Sequence, residues 1–132
     1  MIIVADGQIK HIVPVEEILH LESRRVYTIF HLKNAPQIIS CQHIGKVYNS
    51  LDRSIFLRVH RSHIVNLLEI KTCQLSRNGK IILSDNTVVS IAQRRKTELI
   101  RHLYQLSQPM EKMKIDPRRT DIISSKSDMM AE

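Results

Sequence analysis

The stretch that most constrains this chain is Phe56-Leu57-Arg58-Val59-His60-Arg61-Ser62-His63-Ile64-Val65-Asn66. Its two ends, Phe56 to Val59 and Ile64-Val65, are apolar except at Arg58 and read as buried extended segments. Between them stands a polar knot, His60-Arg61-Ser62-His63. Consecutive donor-rich side chains are costly to bury without partners, so two buried segments must hold the knot out at a corner. Two readings of such a corner are open. It can present its side chains to a partner, or it can be a tight turn whose His and Ser side chains satisfy nearby backbone groups.

The rest of the chain is organised in the same way, as short extended runs between turn residues. Gln8 to Val13 alternates weakly, and Pro14 limits it to an edge strand or a strand end. Ile18 to Glu22 favours a half-buried strand, Ser23-Arg24-Arg25 a turn, and Val26 to Leu32 a strand rich in β-branched and aromatic residues. The two strands form a hairpin whose tip carries two arginines. After the turn Lys33 to Pro36 comes a strand over Gln37 to Cys41. Ile44, Val47, Tyr48 and Leu51 then fall at i, i+3, i+4 and i+7, one face of a short helix that covers a sheet and carries no chemistry. Ile64 to Leu68 and Ile70 to Leu75 read as further extended segments. Asn78-Gly79 is the strongest short hairpin signal, turning the chain into Lys80 to Leu83. Ser84-Asp85-Asn86 turns it again into Thr87 to Ser90. Ser90-Ile91-Ala92-Gln93 has the spacing of a capping box, and Leu99, Leu103 and Leu106 form the apolar stripe of a helix running to about Gln108, before Pro109. The expected fold is mainly β with short helices, closing on a C-terminal helix. The fold is expected over residues 1–108. Residues 109–132, rich in Met, Lys, Ser and Asp without a sustained period, are expected to be a flexible tail outside it.

Aromatic residues make up 4% of the 132 residues and Trp is absent, so the core must be aliphatic. Three glycines leave no material for a Gly-rich phosphate loop. The formal net charge of +7 points to a polyanionic partner, whether nucleic acid, an anionic membrane or an acidic protein. No apolar run approaches the roughly 18 residues of a membrane span, and the N-terminus lacks the pattern of a signal peptide. A cytoplasmic location is expected, with Cys41 and Cys73 as free thiols. Seven histidines invite a metal or acid–base site. However, His60 and His63 are three apart in a segment that is not helical, a spacing that does not bring them to one face. No HExxH, nucleophile elbow or paired carboxylate occurs, and between Arg53 and Lys96 the only acidic residues are Glu69 and Asp85. No enzyme activity, catalytic residue, metal or cofactor is expected.

The positive charge gathers in three places: Arg24-Arg25 at a hairpin tip, Arg58 with His60-Arg61 at the knot, and Arg94-Arg95-Lys96 at the start of the last helix. Cations in a first helical turn oppose the macrodipole at a cost of a few tenths of a kcal/mol each, a penalty that a bound phosphate reverses. Surface arginines also tolerate such positions without a ligand. Arginine dominates all three clusters, and it can pair bidentately with guanine in the major groove, where lysine acts mainly as a point charge.

The stretch Phe56 to Asn66 closely resembles the signature of LytTR-type DNA-binding domains, approximately F-x-R-hydrophobic-H-R-S-aromatic-hydrophobic-V-N. Ile18 to Glu22 resembles that family's I-hydrophobic-aromatic-hydrophobic-E strand. The helix near Ile44 to Leu51, the Asn78-Gly79 hairpin, the Ser90-to-Lys96 segment and the last helix follow in family order, so that the resemblance covers roughly Gln8 to Leu106. It implies an elongated domain of small antiparallel sheets whose loops enter successive major grooves without a helix-turn-helix. Members are usually output domains of bacterial response regulators and commonly bind paired repeats. The implied contact loops carry Arg24 and Arg25, then His60, Arg61 and Ser62, then Gln93, Arg94 and Arg95. Arg61 and Arg94 are the expected deep contacts, and Asn66 is expected to hold the backbone of its own turn. His63 stands where the family often has Tyr or Phe, and Ala92-Gln93 replaces a contacting Ser-Arg pair, which shifts anchoring toward Arg94 and Arg95. The residues before Gln8 leave no room for a receiver domain, so a stand-alone domain or a fragment of a longer regulator is expected. The expected partner is double-stranded DNA, probed by a dimer or by two copies side by side. The alternative is a basic interaction module that binds RNA or an acidic protein without reading DNA sequence.

Overall fold

Turn chemistry sets the first hairpin. β1 (Ile2–Asp6) and β2 (Ile9–Val13) pair antiparallel from Ile2 opposite Val13 to Asp6 opposite Ile9. The two-residue loop needs a positive φ, which Gly7 supplies at 62°. β2 ends at Pro14, as an edge strand should. β1 was not anticipated from the sequence, although Asp6-Gly7 is a hairpin dipeptide. The computed structural model describes residues 1–107 and the backbone of 121–123.

The chain forms two compact units, Met1–Asn66 and Leu67–Glu132. In the first, β3 (Ile18–Arg24), β4 (Tyr27–Leu32), β5 (Ile38–Ser40), β6 (Phe56–His60) and β7 (His63–Asn66) make one antiparallel sheet in the order β5-β4-β3-β7-β6. Period-2 alternation sends Leu21, Phe30, Phe56 and Ile64 to one face. There they meet Ile44, Val47, Tyr48 and Leu51 of the α1 region (helix Ile44–Asn49), together with Val4 and Val13 of the first hairpin. The helical period read from the sequence thus covers a sheet face, as expected. Asn66, fully buried, donates from Nδ2 to the carbonyl of Ile18 at 2.9 Å. Through this bond it holds the backbone of a strand start far back in the chain.

In the second unit, β8 (Ile70–Gln74), β9 (Lys80–Leu83) and β10 (Val88–Ser90) form a meander, and Asp121–Ile123 (β11) pairs antiparallel with β8 at its edge. The extended segment expected to reach Leu68 stops at Asn66, and Leu67–Glu69 is a 3-10 turn. The Ser84 backbone N–H donates to the Glu69 carbonyl at 2.8 Å and the Ser84 hydroxyl to Glu69 Oε1 at 2.7 Å, closing this turn against the β9 end. Gln74 pairs with Lys80, so the loop over Leu75 to Gly79 is longer than a two-residue turn, and Gly79 has no positive φ. Its lack of a side chain serves another purpose: a Cβ there would stand 2.8 Å from Lys96 Cε.

A 3-10 turn over Gln93–Arg95 leads into α2 (Lys96–Ser107), with Leu99 and Leu103 buried and Leu106 exposed. The expected capping box is absent. Ser90 belongs to β10, the N-cap is Ala92 without a side-chain cap, and the Gln93 side chain turns to Lys96 instead of to the backbone of Ser90. The tail expected over 109–132 lies outside the described residues except for the backbone of Asp121–Ile123. Among the described residues no helix is long and apolar enough to cross a membrane.

Candidate nucleic-acid interface

The knot is the tip of the β6–β7 hairpin. His60 faces His63 across a two-residue turn, Arg61-Ser62, with an extra residue, Val59, bulging β6 just before it. Hydrogen bonds fix the turn from three sides. Arg58 reaches along from β6 and donates to the Arg61 carbonyl at 2.6 Å. The Ser62 N–H donates to His60 Nδ1 at 3.1 Å. The Ser62 carbonyl accepts from the Ser23 N–H at 2.8 Å. The tight-turn reading holds for His60, whose ring accepts from a backbone group, and the Arg61 side chain is exposed with no partner among the described residues. Arg58, which belongs to the basic cluster by sequence, is half-buried and supports the turn.

The Ser23–Ser62 bond, with Glu22 opposite His63 in the ladder, lays the β3–β4 tip beside the knot. Arg24 and Arg25 are exposed there. Arg24, itself exposed, lies 3.6 Å from the half-buried Glu22, a loose pair. Arg25 holds φ at 58°, a left-handed angle that a non-glycine residue adopts at a cost of about 1–2 kcal/mol.

Behind these tips lies a group of imidazoles. His20 and His31 stack with centroids 4.3 Å apart, and His31 Nε2 lies 2.6 Å from Glu22 Oε1. Burial pushes the Glu22 carboxyl up, but the His31 hydrogen bond and the charges of His31, Arg24 and His20 outweigh it and hold the group below its ordinary value. The rings of His60 and His63 stand 5.4 Å apart. The expectation that their spacing keeps them off one face is therefore wrong, because residues flanking a two-residue turn are cross-strand neighbours. Burial first, and then the neighbouring His60, hold His63 below the ordinary 6.5 against the pull of Glu22. Among the described residues no cluster of His, Cys, Asp or Glu could hold a metal ion. Burial pushes the Cys73 thiol up to about 12, leaving it inert, while Cys41 is exposed.

The third segment belongs to the second unit. Gln93 and Arg94 are exposed, and Arg95 lies 3.7 Å from Glu98 one helical turn on. Lys96, the last of the basic run, is buried at 8% exposure. Its ammonium donates to the carbonyls of Leu75 at 3.3 Å and Ser76 at 2.7 Å, and to Gln93 Oε1 at 2.9 Å. The sequence carried the signal: Lys96 precedes Leu99 by three and Leu103 by seven, on the buried face of α2. Arg94 is the exposed cation of this segment without a partner among the described residues.

A family model described as the LytTr DNA-binding domain matches residues 9–104. Among solved structures, the chain is similar to one described as the LytTr DNA-binding domain of a methyl-accepting/DNA response regulator from Bacillus cereus. That likeness has a TM-score of 0.67 at 18% sequence identity and covers 77% of this chain and 94% of the other. A search of the curated proteins finds no match. The small antiparallel sheets, the terminal helix and the match over most of the chain agree: the chain belongs to the LytTr DNA-binding domain family.

Proposed function

We propose that this DNA-binding regulator reads specific sites in double-stranded DNA through three segments: Arg24-Arg25, His60-Arg61-Ser62 and Gln93-Arg94-Arg95. The observation that carries the reading is the knot. Arg61 projects, without an intramolecular partner among the described residues, from a turn whose backbone is fastened by Arg58, His60 and Ser23. A cation on a rigid turn can dock a base edge at little entropic cost, whereas one on a loose loop is suited to diffuse attraction. His60 strengthens the case. Its Nδ1 accepts from Ser62, so the neutral ring carries its proton on Nε2, a donor. Donors suit guanine edges and phosphate oxygens alike.

The adjoining tip supplies Arg24 and Arg25, and the second unit supplies Gln93 and Arg94, with Arg95 half-engaged by Glu98. Regulators of this kind commonly engage paired repeats, and two copies side by side on the duplex are the arrangement we propose here. A competition experiment tests the reading. Bound to a pool of genomic fragments, the protein should retain one subset against excess unrelated duplex and single-stranded RNA. Loss of all fragments in step would instead mark a basic surface that binds RNA or acidic proteins without reading sequence.

A further inference from the structure

An exposed glutamine normally swings freely and reads adenine with one donor and one acceptor. Gln93 is not free in this way. The Lys96 ammonium has three protons and no acceptor, and those protons are met by the Leu75 carbonyl, the Ser76 carbonyl and Gln93 Oε1. Because a lysine can only donate, the atom facing it must be the amide oxygen of Gln93, so the amide nitrogen is turned away from it. That nitrogen has no partner among the described residues, and the residue is exposed. The clamp is built into the fold. Gly79 leaves the room in which the lysine stem lies, and the Ile91 N–H donates to the Gly79 carbonyl at 3.1 Å, tying the Leu75-to-Gly79 loop to the segment that enters Gln93.

We infer that Lys96 is a positioning residue that fixes the Gln93 amide with its nitrogen outward, so that it meets DNA as a hydrogen-bond donor and not as the freely turned donor–acceptor pair that reads adenine N7 and N6 together. The inference rests on the proposed reading of DNA by the third segment. The acceptors that fit are the guanine O6 and N7, the adenine N7, the thymine O4 and phosphate oxygens. The sequence position under Gln93 should therefore favour G, which offers two acceptors, and lack the preference for A that a free glutamine gives, if a base is the target, and should show no preference if a phosphate is.

The test combines a selection from a random duplex library with binding measurements on wild type, Gln93→Met, Lys96→Met and the double variant. Gln93→Met should weaken binding roughly two- to tenfold, the worth of one hydrogen bond. Lys96→Met keeps the length of the stem but removes the clamp. It should raise the preference for A at one position and leave the others unchanged, and it should add no further loss to Gln93→Met. If the target is a phosphate, both variants weaken every duplex evenly and remain non-additive. The inference is overturned if Gln93→Met changes nothing, or if Lys96→Met, with an unchanged melting temperature, alters neither affinity nor preference. It is also overturned if wild type already prefers A at a position that Gln93→Met erases, a result that requires no change at Lys96. A wild-type selection without any motif would sink sequence reading as a whole. The non-additivity of the two variants on unrelated duplex would still decide whether Lys96 acts through Gln93.

Discussion

At Arg25 the chain holds a charged residue where the backbone asks for glycine. Its φ of 58° is strained, and its side chain is exposed beside the knot. Strain of this kind persists only where the surrounding structure fixes it, and it clusters at functional sites. Alanine usually outranks glycine in ordered structure, but here the order should invert. We predict Arg25→Gly to be more stable than Arg25→Ala by about 1 kcal/mol, read by denaturant unfolding, with both variants binding DNA more weakly than wild type. Equal stability of the two would remove the strain from consideration. Arg61 makes a different prediction because its side chain has no partner among the described residues. Arg61→Ala should leave melting unchanged and cost roughly 1–3 kcal/mol on a specific site, with far less on random duplex. Equal losses on both would show that it reads no base. The arginines were legible as clusters because charge is visible in sequence. Lys96 shows the limit of that kind of reading. Its neighbours Arg94 and Arg95 suggested a surface triplet, and only its spacing to Leu99 and Leu103 showed which face it shares. The carbonyls that receive its ammonium lie some twenty residues earlier and are brought there by the β8–β9 hairpin, which no local pattern could disclose.

Hairpins are the elements that position the site, and two features of the β6–β7 hairpin can be tested separately from binding. Asn66 closes β7 onto the start of β3 through a buried bond to the Ile18 carbonyl. Asn66→Ala should cost about 1–3 kcal/mol of stability by orphaning that carbonyl, as measured by chemical denaturation. An unperturbed variant would mean that the bond is dispensable. His63 links the same hairpin to pH. Its folded value lies below the ordinary 6.5, so on acidification the unfolded ring takes up a proton before the folded one. Its share of stability is therefore intact above about pH 6.5 and falls as the pH drops below it. His63→Phe should flatten the fall in melting temperature between neutral pH and about pH 5, a window above the one in which Glu22 titrates. An unchanged slope would assign the effect to other histidines. At this scale strands and the short helix were legible because periods of two and of about 3.6 are local. Turn geometry was less so. Asp6-Gly7 is a local hairpin signal, whereas Asn78-Gly79 marks a hairpin but not the longer loop from Leu75 to Gly79 against which Lys96 packs. The meeting of His60 and His63 depended on a turn only two residues long.

For the molecule as a whole, a +7 charge guarantees attraction to any polyanion and so discriminates among none of them. What separates a regulator from a merely basic surface is how that charge is held. Arg61 stands on a fastened turn, Arg25 on a strained one and Gln93 in the grip of a buried lysine. Each device costs conformational freedom or stability, and each suits the docking of defined groups. Binding should weaken steeply with salt, since phosphate contacts displace counterions, while the preference for one site over random duplex survives the same salt. The most direct measurement is a selection of bound duplexes from a fully random library by the wild-type protein at physiological salt. Enrichment of one motif, as two similar half-sites about one or two helical turns apart, is the predicted result. Firm retention of DNA with no enriched motif would contradict it.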